Sequence, residues 1–150
     1  MTSTTRVQLA LNVDDIDAAT AFYTKLFGVP PHKQRPGYAN FSVEDPPLKL
    51  VLFENPSASE RLNHLGIETM RPEDVPEAEA RFRAAGLETR AAMSDQCCHA
   101  VQDKVFVNAP DVPHGWWEFY AVTDDTPDEA HPVASLCCNE SGDSGSACCA

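Results

Sequence analysis

The chain opens with an alternating segment, and a segment with helical spacing follows it. Residues 6–13 alternate between two faces, as a half-buried strand does. One face carries Val7, Leu9 and Leu11, and the other carries Gln8, Ala10 and Asn12. Apolar side chains at helical spacing then predict a helix over residues 16–27, with Asp14 or Asp15 as its cap and Gly28 at its end.

Two further predicted strands, at residues 38–43 and 48–53, complete a first half that the second half repeats. Residues 62–70 alternate again, and a helix is predicted over residues 72–85. Three extended segments come next: residues 87–93, 104–108 and 116–122. Reading the two halves as equivalent βαβββ modules predicts an α+β fold, a partly open barrel with its helices outside and a cavity within.

Three polar residues at matching places on these strands are candidate metal ligands. Gln8 and His64 are each the third residue of the first strand of a module, and Glu118 lies in the last strand of module two. Each lies on the parity opposite its apolar neighbours, so all three are predicted to face the cavity. Their O, N and O donors are close to the arrangement of two histidines and one carboxylate that binds Fe(II). The fourth equivalent position, within Leu50-Val51-Leu52, offers no ligand and leaves the metal coordinatively open.

A blander explanation stays open for each of these residues. A single histidine in a strand is more often a satisfied polar residue than a ligand, and the neutral amide of Gln8 is a poor ligand. Glu118 is harder to explain in that way, because it lies between Trp117 and Phe119, where a charge without a partner is costly. The repeat symmetry is what favours a joint role for the three.

All six cysteines occur as adjacent pairs, Cys97-Cys98, Cys137-Cys138 and Cys148-Cys149. Neighbouring Cα atoms lie ~3.8 Å apart, whereas disulfide partners usually lie at ~4.4–6.8 Å, so adjacent thiols are poorly placed to bond to each other. Two thiols side by side are suited instead to binding one thiophilic atom. For the first pair, His99 and Lys104 are close enough in sequence to favour the thiolate form. Two small buried hydrophobes are the alternative, but the polar neighbours favour a solvent-facing loop.

Composition narrows the cellular setting. The formal charge of −12 argues against nucleic acid or an anionic membrane as a partner, since both are bound through Lys and Arg clusters. No apolar run is long enough to span a bilayer, and the first residues lack the apolar core of a secretory signal. Together with thiol pairs that need a reducing environment, these features predict a cytoplasmic protein.

The character of the sequence changes after Val122. Residues 123–150 are acidic and nearly free of large apolar side chains, which predicts a disordered tail. We therefore expect a folded domain over residues 1–124 and a flexible tail with two Cys-Cys pairs over residues 125–150. Three roles stay open for Cys137, Cys138, Cys148 and Cys149: capturing a thiophilic atom and passing it inward, binding Cd(II) or Zn(II), or none.

These motifs together resemble the vicinal oxygen chelate superfamily, which includes glyoxalase I, extradiol dioxygenases and fosfomycin or bleomycin resistance proteins. The resemblance covers residues 5–122 and is carried by residues 7–15, 22–28 and 62–68. A narrower group, the organoarsenical carbon–arsenic lyases and cadmium-induced proteins, is similar in three stretches. They are Asp-Gln-Cys-Cys-His-Ala at residues 95–100, Asp-Lys-Val at residues 103–105 and Gly-Trp-Trp-Glu-Phe-Tyr at residues 115–120.

The resemblance implies a nonheme Fe(II)-dependent dioxygenase that uses O2 to cleave the carbon–arsenic bond of methylarsenite or trivalent aromatic arsenicals. Arsenite would be the product, and detoxification the purpose. Carried over by position, Gln8, His64 and Glu118 would hold iron, for which other divalent metals can substitute. Cys97 and Cys98 would hold arsenic, and no catalytic group beyond the metal ligands is implied. Because dioxygenases have histidine where this chain has Gln8, the identity of the metal stays open.

Two other functions compete with this one. A sequestration protein would bind cadmium or arsenite through its cysteine pairs without breaking a bond. A glyoxalase or antibiotic-modifying enzyme would use the same scaffold, although neither chemistry needs adjacent soft ligands. The organic group on arsenic also stays open, as does the pairing of the modules within one chain or across a homodimer.

Overall fold

The computed structural model describes residues 4–97 and 99–126, and these form the two predicted βαβββ modules. The first module consists of β1 (Thr5–Val13), α1 (Ile16–Phe27), β2 (Lys33–Arg35), β3 (Tyr38–Val43) and β4 (Leu48–Glu54). The second consists of β5 (Leu62–Thr69), α2 (Asp74–Ala84), β6 (Thr89–Cys97), β7 (Ala100–Asn108) and β8 (Trp116–Asp124). The α+β prediction is confirmed, whereas the predicted disorder of the tail falls on residues 127–150, outside those described.

The eight strands form one sheet in the order β2-β3-β4-β1-β5-β8-β7-β6. Strands β1 and β5 pair antiparallel at its centre, so the two modules meet within a single chain. Inside each module the first and last strands pair in parallel, β1 with β4 and β5 with β8. The sheet has two free edges, β2 and β6, in agreement with the prediction that the barrel is not closed.

Both helices cover the same outer face of this sheet. Helix α1 begins at the cap residue Asp15, whose carboxylate accepts from the backbone N–H of Ala18 at 2.9 Å, and ends at Gly28, whose φ of 70° is left-handed. Its apolar side chains pack against Phe41, Leu50 and Leu52 among others. Helix α2 packs in the same way on the second module, against Val105, Phe119 and Ala121.

The opposite face of the sheet is left for polar side chains. In β1 the buried positions are Gln8, Ala10 and Asn12, while Val7 on the outer face is 46% exposed. The usual rule that apolar residues point inward is therefore reversed here, because the inner face lines a cavity. Within residues 4–97 and 99–126, no helix has both the length and the apolar character needed to cross a bilayer.

The structure differs from the sequence prediction around the cysteines. Strands β6 and β7 are longer than predicted and pair antiparallel as one hairpin. Cys97 therefore ends a strand and pairs with Ala100, and the predicted loop is the tip of this hairpin. The strand pattern was concealed because Asp95, Gln102 and Lys104 are polar and yet buried. We refer to β6, β7 and their turn as the Cys hairpin.

Candidate metal centre

Strand register brings the three predicted ligands together. Gly66 in β5 is the cross-strand partner of both Gln8 in β1 and Glu118 in β8, so the three form one row on the inner face. His64 lies two residues before Gly66 and thus on the same face. The amide Nε2 of Gln8 lies 2.9 Å from His64 Nε2 and 2.8 Å from Glu118 Oε1. His64 Nε2 and Glu118 Oε1 are 3.4 Å apart, and all three residues are buried.

The space between Gln8 and Glu118 exists because residue 66 is a glycine. A Cβ at this position would lie 2.9 Å from Glu118 Cγ, 3.1 Å from the Glu118 carbonyl oxygen and 3.4 Å from Gln8 Nε2. Two of those atoms belong to the Glu118 backbone and the base of its side chain, which do not move easily. Glycine inside a strand often marks such a close approach. Gly66 is therefore part of the site, although the sequence analysis gave it no role.

A chain of amides sets the orientation of His64. Its Nδ1 lies 2.7 Å from Asn63 Oδ1, and an amide oxygen only accepts, so Nδ1 carries the proton. The lone pair of Nε2 then points toward Gln8 and Glu118, as a metal ligand requires. Asn63 is held in turn by its Nδ2 donating to Asn12 Oδ1 at 3.0 Å, and Asn12 donates to the Glu60 carbonyl. Partners of this kind fix both the tautomer and the ring orientation of metal-binding histidines.

Gln8 is held from its other side by Tyr120. The Tyr120 hydroxyl donates to Gln8 Oε1. Burial, reinforced by Glu68 and Glu118, raises the pKa of Tyr120 well above its usual value, so the hydroxyl keeps its proton. The amide of Gln8 thus has both ends engaged inside the cavity.

The donor set fits a divalent metal ion. One imidazole nitrogen and one carboxylate are ligand types that suit Fe(II) and Mn(II). Gln8 presents its Nε2 to these two groups and its Oε1 to Tyr120, so its amide has to turn over before the oxygen can join the donor set. Among the described residues no three His, Cys, Asp or Glu side chains cluster, so Gln8 is the candidate for a third protein donor beside His64 and Glu118. The cavity has a free volume of about 30 Å³, which is room for an ion and a water.

The fourth equivalent position of the repeat is Val51. Ala10 in β1 pairs with Val51 in β4, as Gly66 in β5 pairs with Glu118 in β8. Val51 lines the cavity with an apolar side chain. The side of the site opposite Glu118 therefore carries no protein donor at this position, as predicted.

Three buried lysines also line the cavity. Lys104 Nζ lies 3.4 Å from Asp95 Oδ2 and 3.8 Å from Glu118 Oε2, so it points toward the metal centre. Lys49 Nζ lies 3.9 Å from Glu68 Oε1, and desolvation lowers the pKa of Lys49 despite that carboxylate. Lys33 instead reaches the tip of the Cys hairpin, where it donates to the carbonyl oxygen of His99 at 2.7 Å.

The described end of the Cys hairpin lies at this cavity. Ala100 lines it, and the His99 ring packs edge-on against Tyr38 with 5.0 Å between centroids. The position of Cys98 and the side chain of Cys97 lie outside the described part of the chain. The structure therefore places Ala100, two residues after Cys98 in sequence, at the same cavity as Gln8, His64 and Glu118, and the role of the thiols stays a prediction.

Several partners in this site had no signal in the sequence alone. Tyr120 shares the parity of Glu118 along β8, which was the one available clue. Asn63 and Asn12 are separated by 51 positions, and Lys33 and His99 by 66, so their contacts depend on the register and curvature of the sheet. His32, although exposed, contacts Asp125 Oδ2 at 2.6 Å across 93 positions of sequence.

The fold and this site define a class. The chain belongs to the Glyoxalase/Bleomycin resistance protein/Dioxygenase superfamily, whose model matches residues 5–126. It is similar to the trivalent organoarsenical cleaving enzyme of Thermomonospora curvata, with 46% identity over 151 residues, 96% of this chain and 99% of that protein. It is also similar to the cadmium-induced protein CadI of Mycobacterium tuberculosis, with 47% identity over 143 residues, 89% of this chain and 93% of that protein.

A solved structure shares the architecture. The Mn(II)-bound glyoxalase from Novosphingobium aromaticivorans superposes with a TM-score of 0.53 at 18% identity, over 77% of this chain and 37% of that chain. Similarity at this level shows the fold alone. The resemblance drawn from the sequence motifs is thus confirmed for the superfamily and for the narrower group of relatives.

Proposed function

We propose that this protein is a cytoplasmic Fe(II)-dependent enzyme that uses O2 to cleave the carbon–arsenic bond of trivalent organoarsenicals. The observation that carries the proposal is the convergence of Gln8, His64 and Glu118 at 2.8–3.4 Å in a cavity that Ala100 of the Cys hairpin also lines. The name of the Thermomonospora curvata relative supports the same substrate class. For methylarsenite the atoms balance, because methylarsenite and O2 yield arsenite and formaldehyde.

The thiols bind the substrate in this proposal. Trivalent arsenic with one organic group has two exchangeable hydroxyls, and two thiolates displace both as water or hydroxide. The remaining As–C bond is then held at the cavity rather than in solvent, and holding reactants together in this way removes much of the barrier. One arsenic atom therefore needs two thiols, which matches Cys97 and Cys98.

The residues on the inner face of the sheet would hold the metal and fix the orientation of its ligands. Gln8, His64 and Glu118 would bind the metal, with Asn63 keeping the His64 proton on Nδ1 and Tyr120 holding the amide of Gln8. Iron, when bound, would supply the open coordination positions for O2. The apolar Val51 lines the same cavity and offers no donor to the metal.

Arsenic speciation tests the proposal. The protein is loaded with Fe(II) without oxygen and then given methylarsenite and O2, and we expect arsenite to form with one O2 consumed per turnover. In Cys97→Ser or Cys98→Ser we expect kcat/KM to fall at least ~100-fold, because one thiol loses the advantage of two-point binding. Cys137→Ser is the matched control and should keep its turnover.

The same experiment has clear contrary outcomes. Turnover that continues without Fe(II) or without O2 would exclude the proposed chemistry. Full activity in both hairpin variants would exclude arsenic binding by that pair.

A sequestration role without turnover is the second candidate, favoured by the name of the CadI relative and by the three cysteine pairs. Tight stoichiometric binding of Cd(II), with methylarsenite left intact in the presence of iron and O2, would support it. The acidic charge of −12 disfavours nucleic acid as a partner under either proposal.

A further inference from the structure

The buried ammonium of Lys33 joins three distant parts of the chain. Lys33 is in β2, and its Nζ donates to the carbonyl of His99 at 2.7 Å, to Asp125 Oδ1 at 2.7 Å and to the backbone carbonyl of Asp125. His99 belongs to the turn of the Cys hairpin, and Asp125 directly follows β8. We call Lys33, His99 and Asp125 the Lys33 clasp.

Every donor of this ammonium is used within the clasp. An ammonium has three N–H donors, and three acceptors surround it. Lys33 is 7% exposed, and a buried charge is costly unless it is paired and hydrogen-bonded. The three acceptors of the clasp provide that pairing. Strand β2 is only three residues long, so burial of a lysine there would add little stability to the sheet without these partners.

Two more side chains brace the same point. His32 contacts the second carboxylate oxygen of Asp125 at 2.6 Å, and Tyr38 packs edge-on against the His99 ring. Burial acts to raise the pKa of Asp125, but hydrogen bonds from Lys33 and His32 outweigh it and lower that pKa. The carboxylate therefore stays charged through the neutral range and keeps hold of Lys33.

The clasp restrains the end of the Cys hairpin at His99. The sheet leaves β2 and β6 as free edges, so no ladder of hydrogen bonds connects the first module to the hairpin tip. Within the described residues, the tip is tied across the opening by the Lys33–His99 hydrogen bond and by the Tyr38–His99 ring contact. His99 has a φ of 67°, a conformation that an unrestrained non-glycine residue seldom keeps.

We propose that Lys33 is a positioning residue for substrate capture: by binding the His99 carbonyl, it restrains the hairpin end to which the two cysteines belong in sequence, before the arsenical binds. The inference rests on the proposed function, since it assigns the thiols to arsenic. Its physical basis is preorganisation, because a turn that is ordered before binding does not lose its freedom on binding.

Arsenical affinity tests the role of Lys33. The full-length chain with Cys137, Cys138, Cys148 and Cys149 changed to serine leaves one thiol pair, and phenylarsine oxide is the probe. In Lys33→Met we expect its dissociation constant and the KM for methylarsenite to rise ~10-fold, since binding must then order the turn. We expect kcat and the affinity for Co(II) to change less than ~2-fold, because the metal ligands are untouched.

Matched variants separate positioning from general stability. Lys25→Met makes the same chemical change at an exposed site on α1 and should leave both dissociation constants unchanged. Asp125→Asn keeps an acceptor but removes the charge, and should weaken phenylarsine oxide binding by less than Lys33→Met does. It also replaces Lys33→Met as the deciding variant if that protein fails to fold.

The outcomes distinguish this inference from the proposed function. If the parent protein binds phenylarsine oxide and Lys33→Met (or Asp125→Asn in its place) binds it equally well, the positioning role is wrong and the proposed function stands. If the parent protein does not bind the probe, the proposed function fails first. A parallel loss of Co(II) affinity in Lys33→Met would mean that the residue supports the whole fold, and would also overturn the inference.

Discussion

At the scale of single residues, the site depends on a residue without a side chain and on one without a donor atom, as well as on its donors. Gly66 leaves the gap between Gln8 and Glu118, and Val51 leaves the equivalent of Glu118 in the first module without a donor. Both are small or apolar residues that a search for metal ligands passes over. The coordination geometry depends on them nonetheless, because a ligand can bind only where no other atom lies.

Gly66→Ala tests this view. We expect the added Cβ to push Glu118 away from Gln8 and to lower the affinity for Co(II) at least ~10-fold, a loss typical when the support of a ligand is disturbed. Calorimetric titration with Co(II) measures it. Gly86→Ala is the control: its φ of 80° makes the change destabilising, yet nothing lies within 4 Å of the added Cβ, so metal affinity should persist. Equal Co(II) affinity in Gly66→Ala and the parent protein would refute the role of the gap.

Parity along a strand was enough to select Gln8, His64 and Glu118 from the sequence. Parity says which face a residue lies on, and the repeat says which residues are equivalent. Neither gives the register between strands 50 or more positions apart, so the neighbours Asn12, Asn63 and Tyr120 were not predicted. The assignment of the three as metal ligands stays a prediction that metal binding has to test.

At the scale of elements, prediction succeeded where apolar patterns face a core and failed where strands face the cavity. Helix α1, with both of its end signals, was found because its apolar stripe packs on the outer face. Strand β2 was missed because it is three residues long with the sequence Lys-Gln-Arg. The first part of β7 was missed because its buried residue Gln102 reads as an exposed one.

The cap of α1 allows a direct test of element stability. Asp15→Ala removes the carboxylate that accepts from the Ala18 N–H, and we expect the free energy of unfolding to fall by about 1 kcal/mol. Urea denaturation followed by circular dichroism measures the change. Asp17→Ala removes a carboxylate from the same first turn without removing the cap, and should have the smaller effect. A larger loss in Asp17→Ala would contradict the capping role.

At the scale of the whole molecule, the site belongs to neither module alone. Gln8 comes from the first and His64 and Glu118 from the second, and the β1–β5 pairing is what brings them together. The two-module architecture was predictable, since strand and helix patterns repeat along the chain. The curvature that brings β2 to the Cys hairpin was not, because it follows from the twist of the assembled sheet.

The expected boundary between domain and tail stays a prediction, and truncation tests it. A chain ending at Thr126 retains every described contact of the Lys33 clasp, so we expect its free energy of unfolding to remain within ~0.5 kcal/mol of the full-length value. We also expect kcat to be unchanged. A clear loss of stability would place part of the fold beyond residue 126. An unchanged KM at low methylarsenite would argue against delivery of arsenic by the tail cysteines.

The place of β8 in the sheet bears on when the site comes into being. β8 lies between β5 and β7, yet it is synthesised after both of them. A chain growing on the ribosome can complete its first module and add β5 while the slot for β8 is still vacant. Gln8 and His64 then exist without Glu118, and Lys33 exists without Asp125. The Gln8, His64 and Glu118 cluster and the Lys33 clasp are thus completed late in folding, when the last strand takes its place in the middle of the sheet.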